Sequence, residues 1–333
     1  MATIGTNVRT LADWASTRGD DDKYAQIVEI LSQDNEILDD MLWREGNLPT
    51  GHKTTIRTGL PTSTWRAFNQ GVPPSKGTAA PVTFGTAMLE QRSQVDAALA
   101  SLEDDLSGYR MGEAIPHYEA MRQDMASNLF YGNEALDPER FTGFARYYNS
   151  LAGSASAENV INHGGTGNDM NSIYLIRWGE QTVHGIYPKG SMAGLQHEDL
   201  GLQDAFDSAN NRFRAYMDRW VWTCGLAVRD WRAVVRIANI DTSVIRTDDA
   251  GGQASLLSLI RNMIIATERL RGPGSGGVFY MNRTLRTALR LAILNRVSNN
   301  LTYETVAGKR VMMFDEFPVR ATDALLTTET NIS

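Results

Sequence analysis

The chain has 333 residues, 42% hydrophobic and 21% charged, enough for about two domains around a real core. Its 39 acidic and 32 basic residues leave a net charge of −7, which speaks against a nucleic-acid binder by bulk charge. No apolar run approaches the roughly 20 residues that cross a bilayer, the first ten residues lack a signal-peptide core, and the single Cys224 forms no intrachain disulfide, so the sequence reads as a soluble protein of a reducing compartment.

Residues 20–45 are strongly acidic. Asp20, Asp21, Asp22, Glu29, Asp34, Glu36, Asp39, Asp40 and Glu45 stand against Lys23 and Arg44. Tyr24, Ile27, Val28, Leu31, Leu38 and Leu42 recur at helical spacing. This predicts an amphipathic helix with an acidic outer face.

The following stretch, Gly46–Gly85, inverts the charge. It holds no Asp or Glu, and its charges Lys53, Arg57, Arg66 and Lys76 are all positive. Eleven of its forty positions are Gly or Pro, with short β-type runs between them at His52–Thr58, Thr64–Phe68 and Val82–Thr86. The pattern predicts a long hairpin arm. Its scattered apolar residues cannot close a core, and an isolated hairpin is marginal in water. Trp65 and Phe68 argue against disorder, because disordered segments are poor in aromatics. The arm is therefore expected to lie on a neighbouring surface, with the acidic segment steering one subunit onto the next. For nucleic acid its four cations are a thin footprint.

Residues 87–110 read as strand and then helix. Pro116–Tyr131 reads as a helix of about 24 Å, with Tyr118, Met121, Met125 and Leu129 inward, Pro116 in the first turn and Gly132 just past the end. Residues 133–210 are turn-rich, interrupted by strands at Ser172–Trp178 and Gln181–Tyr187. Arg212–Ile240 reads mainly as strands with a turn near Gly225, and Trp220, Trp222 and Trp231 are expected to anchor a core there. Gln253–Leu270 is a helix by its apolar face of Leu256, Leu257, Ile260, Met263, Ile264 and Leu270. Val278–Met281 reads as a strand, Asn282 as the cap of a helix at Arg283–Val297 with Leu285, Leu289 and Ile293 inward, and Val311–Phe314 and Phe317–Arg320 as closing strands. Helices and strands do not alternate regularly, so the expected class is α+β.

The catalytic patterns fail on context. Gly272–Gly277 fits G-x-G-x-x-G, but a helix precedes it and a strand follows, the reverse of the dinucleotide order. His197-Glu198 begins like H-E-x-x-H, yet Gly201 stands where the second histidine belongs. His163-Gly164-Gly165 is similar to an esterase oxyanion loop, but no G-x-S-x-G accompanies it. Nothing marks the pairs Asp104/Asp105 and Asp248/Asp249 as acid and base. Cys224 lies among Trp220, Trp222 and Leu226 and reads as a small buried hydrophobe. No catalytic residue, cofactor or metal is assigned. An enzyme built on the Gly164–Gly167 or Gly272–Gly277 loop is the alternative from another class.

The order of parts, with the stretches Leu129–Tyr148, Ile186–Gly201 and Asp230–Asp241, resembles the major capsid proteins of tailed bacteriophages and their Hong Kong 97-like fold. The resemblance implies an N-terminal arm at 1–45 and an extended hairpin loop at 46–87 lying across an adjacent subunit. It implies a peripheral domain with a long spine helix at 88–139 and 275–333, and a β-rich axial domain at 140–274. It further implies self-assembly through hexamers and pentamers into an icosahedral virion shell around double-stranded DNA, built in the bacterial cytoplasm as a procapsid that matures. Expected partners are copies of itself, a separate scaffolding protein, a portal, possible decoration proteins and weakly contacted packaged DNA, with no membrane. The candidate intersubunit residues are Lys53, Arg57, Trp65, Arg66, Phe68 and Lys76 on the hairpin, and Asp21, Asp22, Glu29, Glu36, Asp39 and Asp40 on the acidic segment. One relative joins subunits by a Lys–Asn isopeptide bond. Lys53 and Lys76 are candidates for one side of such a bond, and Asn282, Asn299 and Asn300 for the other. A tail or connector ring protein is the structural alternative.

Overall fold

The computed structural model describes residues 32–33, 35–102, 105–207, 209–247, 249–273, 276–294, 301–306 and 309–333. In chain order the strands are β1 (Trp43–Glu45), β2 (Gly51–Gly59), β3 (Thr78–Gly85), β4 (Ala87–Asp96), β5 (Val160–Asn162), β6 (Met170–Ile176), β7 (Val183–Tyr187), β8 (Gln196–Phe206), β9 (Arg212–Val228), β10 (Val234–Asp241), β11 (Val278–Met281), β12 (Leu301–Val306), β13 (Lys309–Phe314) and β14 (Phe317–Ala321). The longer helices are α1 (Leu106–Tyr131), α2 (Ala250–Arg269) and α3 (Arg283–Leu294).

Period-two side-chain alternation builds the centre. A seven-stranded sheet runs β12-β13-β14-β11-β6-β10-β5. Ile173, Leu175, Val235, Ile237, Phe279 and Met281 point to one face and pack with Leu259, Met263 and Ala266 of α2 and Leu285 and Leu289 of α3. Their neighbours Tyr174, Ile176, Val234, Ala238 and Tyr280 point to the other face. There they meet Met125, Leu129 and Phe130 at the end of α1 and Cys224, Leu226 and Val228 at the end of β9. Nearly continuous apolar runs in β6 and β10 follow from burial on both faces.

A second sheet runs β1-β7-β9-β4, with β8 paired to the outer part of β9. It packs on α1 through Trp220, whose side chain is fully buried beside Ala114 and Met121. The third sheet is the β2–β3 hairpin.

The C-terminal residues are held by a buried charge. Arg236 on β10 and Glu329 pair at 2.7 Å, each side chain 5% exposed. Tyr131 at the end of α1 donates to Glu329 and accepts from the backbone of Leu326. Arg236 also donates to the carbonyl of Tyr148 at 2.8 Å. The chain end thereby ties α1 to the central sheet.

Several sequence expectations are corrected. α1 begins at Leu106, ten residues before the predicted start, with Asp105 accepting from Gly108 at its cap. Pro116 sits inside the helix. Gly225 is not a turn, since β9 runs unbroken for 17 residues. A Cβ at Gly225 would lie 2.5 Å from the carbonyl oxygen of Gly85, so the glycine serves a close strand approach. β8 lies in a stretch expected to be turns. Its sequence is polar because most of the strand is exposed. Thr64–Phe68 forms no strand. The last residues of the helix predicted over Arg283–Val297 lie outside the described residues.

The expected division at 139/140 and 274/275 cuts across both large sheets. β8 and β9, assigned to the axial part, pair with β4 and each other. β11 and β14, assigned to the peripheral part, complete the sheet of β6 and β10. Strand periodicity reports half-burial but not which strand is the partner.

Candidate intersubunit surface

The hairpin is rooted and its tip is free. β2 and β3 pair antiparallel from Gly51↔Gly85 to Arg57↔Ala79, with a register shift before Gly59↔Thr78. At the root, Phe84 is 4% exposed and packs on Ile186 and Ala227. Asn47 clamps Lys53 by accepting its N–H and donating to its carbonyl, both at 2.7 Å. Between the hairpin stem and the body runs a groove of about 850 Å³, lined on one side by Thr54–Leu60 and on the other by Glu180, Arg229 and Trp231.

Beyond Gly59 the chain makes an irregular loop to Gly77, every residue of it exposed. Few bonds shape it. The hydroxyl of Ser75 donates to the carbonyl of Thr62 at 2.8 Å, and the N–H of Gln70 donates to the carbonyl of Ala67 at 3.3 Å. Asn69 takes a positive φ of 61° at the tip. Trp65 and Phe68 are 101% and 99% exposed, and Leu60 77%. Among the described residues these side chains find no apolar partner. Lys53, Arg57, Arg66 and Lys76 are exposed, and among the described residues none has a carboxylate partner.

The acidic complement is divided. Asp21, Asp22 and Glu29 lie outside the described residues. Asp39 is exposed. Glu36 and Asp40 are taken by their own chain: Arg320 reaches Glu36 at 3.2 Å and Asp40 at 3.0 Å, and the Tyr280 hydroxyl donates to Asp40 at 2.8 Å. Burial raises the pKa of Asp40, against the opposing effect of Tyr280 and Arg320. These two carboxylates fasten residues 35–42 to β11 and β14, where Ile37 is fully buried. Helical spacing could not distinguish that role from an outward-facing one.

The residues that match fragments of catalytic motifs are held by structural partners. Asp105 and Asp249 cap α1 and α2, while Asp104 and Asp248 lie outside the described residues. His163 contacts Ser255 at 3.0 Å and Asn262 at 3.1 Å, which joins its loop to α2. His197 meets Asp218 at 2.9 Å and stacks on Trp220. Arg177 donates to the carbonyls of Gly272 and Gly276, bracing the glycine-rich connector, of which 274–275 lie outside the described residues. Burial raises the Cys224 thiol to about 12. Asn282 caps α3, and its side-chain N–H donates to the carbonyl of Leu325; Asn299 and Asn300 lie outside the described residues. Among the described residues no group of His, Cys, Asp or Glu could hold a metal, and no helix is long and apolar enough to cross a membrane.

Two signals were missed in the sequence. One is the buried pair Arg236–Glu329. The other is the contact of His52 at the hairpin root with His184 on β7, ring centroids 5.9 Å apart. Burial, and then the His52 ring, lower His184 to about 4.

Comparison with known proteins places this architecture. A chain of the cryo-EM structure of bacteriophage Epsilon15 is 30% identical and superposes with a TM-score of 0.75, covering 100% of this chain and 99% of that one. The SrpI encapsulin complex of Synechococcus elongatus PCC 7942 is 12% identical with a TM-score of 0.43, covering 70% of this chain and 95% of that one. The capsid of Myoviridae phage XM1 is 9% identical with a TM-score of 0.42, covering 64% and 94%. No curated protein sequence matches. The fold is Hong Kong 97-like, and the family model for major capsid protein GP7 matches residues 19–333. The chain belongs to that family of major capsid proteins.

Proposed function

We propose that this capsid subunit closes its shell by laying its hairpin on the next copy. The observation that carries this reading is the loop tip. Trp65 and Phe68 are fully exposed on a segment without acids that stands clear of the other described residues. Apolar area of this kind is released from water only on another surface. Lys53, Arg57, Arg66 and Lys76 steer the approach toward acidic groups such as Asp39 and the stretch holding Asp21, Asp22 and Glu29. Each contact is modest, and many of them acting together stabilise a closed container.

In this reading the peripheral part comprises α1 with β4, β8 and β9, and the axial part comprises the seven-stranded sheet with α2 and α3. Axial parts meet around five-fold and six-fold centres to form pentamers and hexamers. The subunit performs no catalysis. A separate scaffolding protein, a portal and possible decoration proteins complete the particle, packaged DNA is touched weakly, and assembly takes place in the host cytoplasm. The test is the double substitution Arg57→Glu with Arg66→Glu. It is expected to leave the subunit folded and to abolish closed particles in negative-stain images; normal particles would overturn the reading.

A further inference from the structure

The loop that follows α1 is acidic, exposed and held in shape. Residues 133–140 contain Glu134, Asp137 and Glu139 against Arg140, and from Glu134 to Arg140 every residue is exposed. Among them Leu136 is 78% exposed. The N–H groups of Leu136 and Asp137 both donate to the carbonyl of Asn133, at 3.0 and 2.9 Å, and the N–H of Ala135 donates to the Asn133 side chain at 3.1 Å. The N–H of Gly143 donates to the carbonyl of Gly132 at 2.8 Å and closes the base of the loop. A loop fixed in this way loses little freedom when it binds. Arg140 reaches Asp137 at 3.8 Å, while Glu134 and Glu139 have no ion-pair partner among the described residues.

The two strands of the hairpin border opposite charges. The carboxylate of Glu134 stands beside the end of β3, 3.5 Å from the position that a Cβ on Gly85 would take. β2 instead borders the groove of about 850 Å³, which contains Arg57, Arg229 and Arg232. Trp231 and Arg232 also line a second cleft of about 470 Å³, which adds Arg269, Arg271 and Leu151. These two shared residues join the cavities into one concave path. The acids along it are Glu158, Glu180 and Asp230. Asp230 is held by Arg232 at 2.8 Å, and Glu180 by Arg44. Arg57, Arg229, Arg269 and Arg271 have no carboxylate partner among the described residues, so four cations face Glu158 alone.

We propose that the 134–139 loop of one copy seats in this path on the next copy. Leu136 enters the cleft against Leu151 and Trp231, and Glu134 and Glu139 lie among Arg229, Arg269 and Arg271. A concave path with an apolar wall suits such a loop better than the convex backbone of a nucleic-acid duplex. This contact presupposes the side-by-side assembly read from the hairpin tip, but it uses different surfaces. Loop and path belong to separate parts of one chain, so the contact is heterologous, and repeated by rotation it closes a ring. Opposite charges set the direction in which copies follow one another.

Charge reversal in two halves tests the contact. Glu134→Arg with Glu139→Arg alters the loop, and Arg229→Glu with Arg271→Glu alters the path. None of these side chains is buried, so each altered subunit should keep its thermal midpoint. Either pair alone should raise the concentration needed for rings by about tenfold or more, as read by sedimentation velocity. An equal mixture of the two altered chains should assemble again, because each loop then meets a path of opposite charge, and mixing repairs no folding defect. Leu136→Cys with Glu158→Cys in one chain should cross-link copies on oxidation, since the native Cys224 is buried. Unchanged thresholds, a mixture that stays dissociated, or an absent cross-link would each overturn the proposal. Normal assembly with lost retention of duplex DNA by the altered path would overturn it by naming phosphate as the occupant. Normal particles from both altered chains would remove this contact and leave the hairpin reading standing, whereas an unaltered chain that stays monomeric under assembly conditions would remove both.

Discussion

Replacing Trp65 and Phe68 together by serine separates the fold of the subunit from its assembly. Both side chains are essentially fully exposed, so their removal takes nothing from the core. The isolated subunit should keep its stability to within about 0.5 kcal/mol. On a neighbour, each ring would bury on the order of 200 Å², worth at most about 5 kcal/mol at ~25 cal/mol per Å². Ordering costs reduce this, and aromatic anchors at interfaces typically lose about 2–4 kcal/mol on truncation. A loss of about 3 kcal/mol weakens one contact by roughly a hundredfold. The threshold concentration for particle formation should rise steeply while the thermal midpoint of the dissociated subunit stays fixed. Sedimentation velocity measures the first and thermal unfolding the second. An unchanged threshold would refute the reasoning, and so would a clear fall in the subunit's midpoint, because that would place the rings against their own chain.

Three further outcomes are expected. Glu329→Ala leaves the guanidinium of Arg236 buried without its carboxylate and should cost about 3–5 kcal/mol in denaturant unfolding, whereas pairing it with Arg236→Met should recover much of the loss. The His184 pKa is lowered in the folded protein from 6.5 to about 4, so the unfolded chain binds more protons between those values and stability falls as pH drops through that window. The full shift corresponds to on the order of 3 kcal/mol, reduced to about 2 by nearby solvent; His184→Gln should flatten the slope between pH 6.5 and 4, as read from unfolding midpoints. Gly225→Val would force the β9 backbone away from Gly85 and should lower stability by about 1–3 kcal/mol, measured by the same unfolding curves.

The hairpin was legible in the sequence because turn formers, absent acids and too few apolar residues act locally. The same holds for the helix around Gln253–Leu270, whose apolar face has a 3.6-residue period, and for the doubly buried strands near Ser172 and Val234. β8 was hidden because an exposed strand needs no apolar alternation. The start of α1 was hidden because Pro116 resembles a first-turn signal while the cap that counts, Asp105, lies farther back. Glu36 and Asp40 read as surface charges, and only Arg320 and Tyr280, distant in sequence, bring them inward. By itself the sequence determined the free arm, the apolar helix after Asp249 and the doubly buried strands, since backbone preference and solvent exposure act over a few residues. Tertiary structure alone decided which strands share a sheet, where Glu329 is neutralised and which acids are spent inside the subunit, because pairing energies depend on partners that chain order does not place side by side.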